Sequence, residues 1–218
     1  MANPAPASGP NGQNNHARDL VDLVLVEAVG SSVTPFVPLP FVDEYLFARL
    51  LRRITRKVIE RAKLPVDEPV VHAVVDAYLR AGDSGLHEKF FTAAARFVIR
   101  KLAVVLDVKK SHDVFGEAIA FALALDVVVQ LGALSSGTAS KVGAAIHRST
   151  QTVGSAALEV ITRAGREAFK ASEGAEQSSR FARVAGAIGK RVDETSAHLD
   201  RLMRHELQSF APRFVARG

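Results

Sequence analysis

The chain has 218 residues, 48% apolar and 23% charged, with a formal net charge of +5. That length and apolar content are enough for one sizeable core, or one core with a helical extension, and argue against a mostly disordered chain. The absence of cysteine excludes disulfides, thiolate nucleophiles and cysteine metal sites, and fits a cytoplasmic location without proving one.

Residues 1–16 hold no lysine or arginine and are rich in Pro, Gly, Ser and Asn. They read as a disordered tail, and with no cationic start and no apolar run they are not a signal peptide. Arg18 to Val29 is a short apolar-rich helix. The bend Pro35-Phe36-Val37-Pro38-Leu39-Pro40 follows. Its prolines fix φ, lack N–H donors and push the preceding residues out of the α region, so no helix or central strand runs through it.

From Phe41 the residues Tyr45, Leu46, Leu50, Leu51, Ile54, Val58 and Ile59 recur at helical steps. Asp43 and Glu44 sit in the first turn, where the helix dipole favours anions. Residues 41–63 carry seven Lys or Arg against three carboxylates, so most of the net charge is local. A basic helix with an apolar stripe suits an anionic bilayer, a nucleic-acid backbone, or a solvated face over an ordinary core. The membrane expectation names Phe36, Val37 and Leu39 as insertion points and Arg49, Arg52, Arg53, Arg56 and Lys57 as head-group contacts.

The small-residue run Ala28-Val29-Gly30-Ser31-Ser32, the spaced prolines Pro35, Pro38 and Pro40, and Asp43 entering a long helix resemble the helix-bend-helix pattern of EcsC-like bacterial proteins. The resemblance covers about residues 27–50. It implies association with a membrane more than an activity, and the expected location is cytoplasmic, at the inner face of the membrane. The dense arginine run departs from that pattern.

Leu64-Pro65 ends the basic helix, and Pro69 opens the next, from about Val70 to Ala81, closed by the turn Gly82-Asp83-Ser84-Gly85. Another helix is expected from about Leu86 to Asp107. A central helix follows, capped by Ser111 or Asp113. Ala118 to Ser140 is apolar or small for most of its length, interrupted by Asp126 and Gln130. A mid-span carboxylate costs about 2.5–3.5 kcal/mol on insertion scales, so a buried helix is favoured over a membrane span. Asp126 is then a buried acid that needs a partner, and an arginine or lysine is the ordinary solution. The β-branched clusters at 97–108 and 127–129 leave a mixed fold as the alternative.

Beyond Thr138, Val142, Ile146, Ser149, Val153, Ala156, Val160 and Ala164 keep helical spacing, as do Phe181, Val184, Ile188, Val192, Thr195, Leu199 and Leu202. Two helices of about 30 residues around the turn Ser172 to Ser179 make an antiparallel hairpin. The expected fold is therefore all-α, a multi-helix core at 17–135 followed by a long helical hairpin at 138–210, with 211–218 a flexible C-terminus.

The chemistry that this sequence mimics fails on inspection. Gly132 to Thr138 outlines a phosphate loop, but Thr138 stands where the lysine belongs. Glu194, His198 and His205 lack the paired Glu-x-x-His of di-iron bundles, His-Glu-x-x-His is absent, and no Gly-x-Ser-x-Gly elbow occurs. The basic residues are interrupted by acids, and among residues that stack on bases there is no tryptophan and only two tyrosines, Tyr45 and Tyr78. No catalytic, cofactor or metal residue is assigned. The expected function is a non-enzymatic peripheral membrane-associating or scaffolding protein with an anionic membrane surface as partner. The alternative is a helical adaptor whose hairpin binds a protein or a second copy. Nucleic acid is not an expected partner.

Overall fold

The computed structural model describes residues 10–32, 42–90, 100–171 and 177–212. Every regular element among them is a helix: α1 Pro10–Ser32, α2 Val42–Arg61, α3 Glu68–Phe90, α4 Arg100–Gln130, α5 Ala139–Ala171 and α6 Gln177–Phe210. The protein is all-α. Residues 127–129, weighed as a strand, form the last turn of α4.

Helix α4 organises the rest. Every residue from Ala118 to Val129 is buried, as expected of a helix that is apolar all round. Helices α1, α2, α5 and α6 pack against it, and α3 reaches it through Tyr78, whose ring meets Phe121 edge-on. No helix among the described residues is long and apolar enough to cross a membrane.

The local signals around α2 work as read. Its apolar stripe buries Leu51, Ile54, Val58 and Ile59. Its end is a left-handed cap at Lys63, with φ of 57°. Leu64 N–H reaches back to Ile59 O at 3.2 Å, and Pro65 follows. Glycine is usual at that cap because a Cβ is strained there.

Other boundaries differ from the sequence pattern. Helix α1 begins at Pro10, so residues 10–16 are helical and the boundary drawn at 16 falls inside an element. Helix α3 runs through Gly82 to Gly85, where a turn was expected, to Phe90. Helix α4 is continuous from Arg100 to Gln130, with no cap at Ser111 or Asp113. Isolated glycines weaken a helix by about 1 kcal/mol without forbidding it. Residues 91–99 lie outside the described residues, as does most of the expected hairpin turn.

Helices α5 and α6 pack along each other, but they also line the main core: α5 against α3 and α4, α6 against α1 and α4. One cluster of buried side chains extends from Ala17 to Ala211. Helix α5 approaches α3 so closely at Gly143 that a Cβ there would collide with the Val74 carbonyl oxygen. It is also interrupted at Gly154, whose φ of 78° and ψ of 161° leave helical space. That region is essentially restricted to glycine. The uninterrupted 30-residue helix read from the spacing is therefore two segments.

Candidate functional site

The basic face of α2 is built by its period. With Leu51, Ile54, Val58 and Ile59 turned to the core, the opposite stripe carries Tyr45, Arg49, Arg53 and Glu60, all exposed. Tyr45 is 60% exposed, unusual for a large aromatic. Arg49 and Arg53, one turn apart, have no acidic partner among the described residues.

The other three predicted cations are engaged. Arg52 Nη2 donates to Asp76 Oδ1 at 2.9 Å. Arg56 grips Glu68 with two parallel bonds, Nε to Oε1 at 2.7 Å and Nη2 to Oε2 at 2.8 Å. That fork holds the Glu68 carboxyl below its usual range. Lys57 Nζ donates to Glu27 Oε2 at 2.7 Å and to the Leu23 carbonyl at 3.0 Å. The partners come from two directions, Glu27 from α1, Asp76 and Glu68 from α3. Phe36, Val37 and Leu39 lie outside the described residues.

The pairs differ in burial. The Glu27 side chain is 8% exposed, so Lys57 neutralises a buried charge and fastens α2 to α1. The Asp76 and Glu68 side chains are 42% and 52% exposed. Exposed pairs contribute little to stability.

Asp126 is buried as expected, but its partner is neither arginine nor lysine. His16 Nε2 lies 2.7 Å from Asp126 Oδ2, and the Gln130 amide donates to the same oxygen. Arg61 approaches the other ring nitrogen at 3.2 Å and donates to the His16 carbonyl at 3.0 Å. The Gln130 amide nitrogen lies 2.6 Å from His16 Nε2 as well. Both ring nitrogens are occupied, so this Asp–His pair is a clasp joining α1, α2 and α4, with no free nitrogen to serve as a general base. His16 escaped the sequence reading because it sits 110 residues from Asp126, in a stretch whose composition suggests disorder.

A third polar cluster joins α3, α4 and α5. Tyr78 donates from its hydroxyl to Glu117 Oε1 at 2.8 Å, and its ring meets the His147 ring edge-on at 5.3 Å. Burial, then the Glu117 charge, pushes the Tyr78 hydroxyl well above the usual tyrosine range, so it stays a donor. Burial, then neighbouring Arg148, holds His147 below the usual histidine range. The cluster orients buried helices.

Among the described residues no group of three or more His, Asp or Glu side chains is placed to hold a metal ion. Residues 132–138, the phosphate-loop outline, fold on themselves: Thr138 Oγ1 accepts from Ser135 N–H at 3.0 Å and donates to the Ala133 carbonyl at 2.6 Å. No known family model, no curated protein and no solved structure matches this chain. The outward stripe of α2 thus presents an exposed aromatic ring beside two arginines with no acidic partner among the described residues.

Proposed function

We propose that this is a non-enzymatic protein that associates peripherally with an anionic bilayer at the cytoplasmic face of a membrane. The observation that carries the reading is the stripe Tyr45, Arg49 and Arg53, exposed and with no acidic partner among the described residues. It begins directly after the segment holding Phe36, Val37 and Leu39. In this reading those three side chains enter the apolar boundary, Tyr45 sits at head-group level, and Arg49 and Arg53 meet lipid phosphates. Amphipathic side chains and cations favour such an interface, each basic residue contributing about 1 kcal/mol near an anionic leaflet.

The apolar faces of α5 and α6 are directed into the chain's own core, which favours the surface reading over an adaptor whose hairpin docks a partner. The test is flotation of the purified chain with phosphatidylglycerol and phosphatidylcholine vesicles. Salt-sensitive recovery with the anionic vesicles alone, lost in R49Q/R53Q, is the expected result. Equal recovery of wild type and R49Q/R53Q would remove the stripe from the mechanism. Binding to duplex DNA in place of vesicles would reassign it to nucleic-acid phosphates.

A further inference from the structure

We infer that Asp76 and Glu68 of α3 are built-in counter-charges that hold Arg52 and Arg56 off the bilayer, and that anionic lipid head groups displace them. This rests on the surface reading above and adds its regulation. Without the displacement, three of the five cations predicted to face lipid are tied up, Arg52 and Arg56 by these exposed acids and Lys57 by the buried Glu27.

Three observations carry the inference. First, Arg52 and Arg56 flank the Arg49 and Arg53 stripe on the same helix, three and four residues apart, so a guanidinium released from α3 lies beside the unpaired ones. Second, the acids that hold them are exposed, at 42% and 52%. Exchanging an exposed carboxylate for a lipid phosphate leaves no buried charge behind, because water takes over the carboxylate. Lys57 marks the contrast: its acid, Glu27, is buried, and releasing it would strand a charge in the interior. Lys57 is therefore excluded from the exchange. Third, Arg52 leaves its Nε buried with no hydrogen-bond partner while Nη2 holds Asp76. A buried unsatisfied donor is costly, and a pose turned outward toward a phosphate or water relieves it.

Arg56 differs in degree. Its two-bond fork on Glu68 is well formed, so it is the later of the two to leave. A lipid phosphate offers the same two-oxygen geometry, and the arginine fork matches phosphate as well as carboxylate in that mode. The result is a surface whose affinity rises more steeply with anionic lipid content than two arginines alone provide.

The experiment measures partitioning of the full chain onto vesicles of 30% phosphatidylglycerol for wild type, D76N/E68Q, D76N/E68Q/R52Q/R56Q, and a charge-matched control, E167Q/E194Q. Glu167 and Glu194 are exposed on α5 and α6, so the control adds the same net charge away from α2. Circular dichroism melts confirm that each variant is folded. D76N/E68Q is expected to bind more tightly by about fivefold for each arginine set free. The control should stay within about twofold of wild type, and the quadruple variant should return to the wild-type level.

If wild type binds and D76N/E68Q gains no more than the control, the counter-charge role is overturned while the surface reading stands. A gain that survives in the quadruple variant overturns it too, since Arg52 and Arg56 would not be its source. Binding seen only in D76N/E68Q overturns the displacement, since head groups then fail to dislodge the two acids from the wild-type chain. If neither wild type nor D76N/E68Q binds, both readings fall.

Discussion

Helix α2 and the buried half of α4 handle charge in opposite ways. Along α2, Arg52 and Arg56 meet carboxylates that water also reaches, and Arg49 and Arg53 meet none among the described residues. In α4, Asp126 and Glu117 are tied by His16, Gln130 and Tyr78 inside the helix packing. Pairs of the first kind can exchange partners at little cost, whereas pairs of the second kind lose desolvation energy when either member goes. Stability should therefore reside in the α4 clusters and binding in the α2 stripe, and substitutions can pull the two apart.

The largest effect is expected outside both, at the close approach between α3 and α5. Gly143→Val places side-chain atoms into the Val74 carbonyl and should cost about 3 kcal/mol or more, seen as a lowered or lost thermal transition. Within the α4 clusters, Asp126→Ala removes the acceptor shared by His16 and Gln130 and should cost about 1–3 kcal/mol in urea unfolding. Tyr78→Phe keeps the ring packing on Phe121 and removes only the hydroxyl, which meets Glu117 and Thr150, so about 1 kcal/mol is expected. Neither α4 variant should change vesicle affinity while the chain is folded. A change in affinity at full folding would break the division of roles.

The sign of the pH dependence sharpens the same contrast. His147 has its folded pKa held below the ordinary value by burial. Its contribution is present above the unfolded pKa and lost as pH falls through the ordinary histidine range toward the depressed folded value. Stability should thus decline between neutral and mildly acidic pH, and His147→Gln should flatten that decline in denaturation curves taken across pH. Asp22, on the exposed side of α1, is raised by partial burial and by neighbouring Asp19. For an acid this sign disfavours the charged folded form, so its destabilising effect appears as pH rises above its unfolded pKa. Asp22→Asn should slightly raise the melting temperature at neutral pH and leave it unchanged under acid. The smallest effect lies at the end of α2, where Lys63→Gly should stabilise by up to about 1 kcal/mol by relieving the left-handed cap.

How much of this the amino-acid order reveals depends on whether the cause is local. The start and stop of α2, the burial of Ala118 to Val129 and the all-helical class follow from prolines, caps and the period of apolar residues, which act within a few residues. The acids that hold Arg52, Arg56 and Lys57 are not visible on a helical wheel of α2, since they arrive from α1 and α3 through packing. Asp126 could be recognised as needing a partner, but a histidine in a stretch of tail-like composition gave no sign of being that partner. The break at Gly154 is hidden for a different reason: the small-residue stripe of α5 keeps its spacing through a glycine that a helix would have tolerated. Gly82 and Gly85 show the reverse, turn-forming residues carried through a continuous α3.

The most direct measurement is vesicle flotation of wild type beside R49Q/R53Q, with melting curves taken on the same samples. If the α2 stripe is the contact, recovery with anionic vesicles falls by about fivefold per arginine removed while the melting temperature stays unchanged. Undiminished flotation of the double variant, or no flotation of wild type with anionic vesicles at low salt, would contradict it.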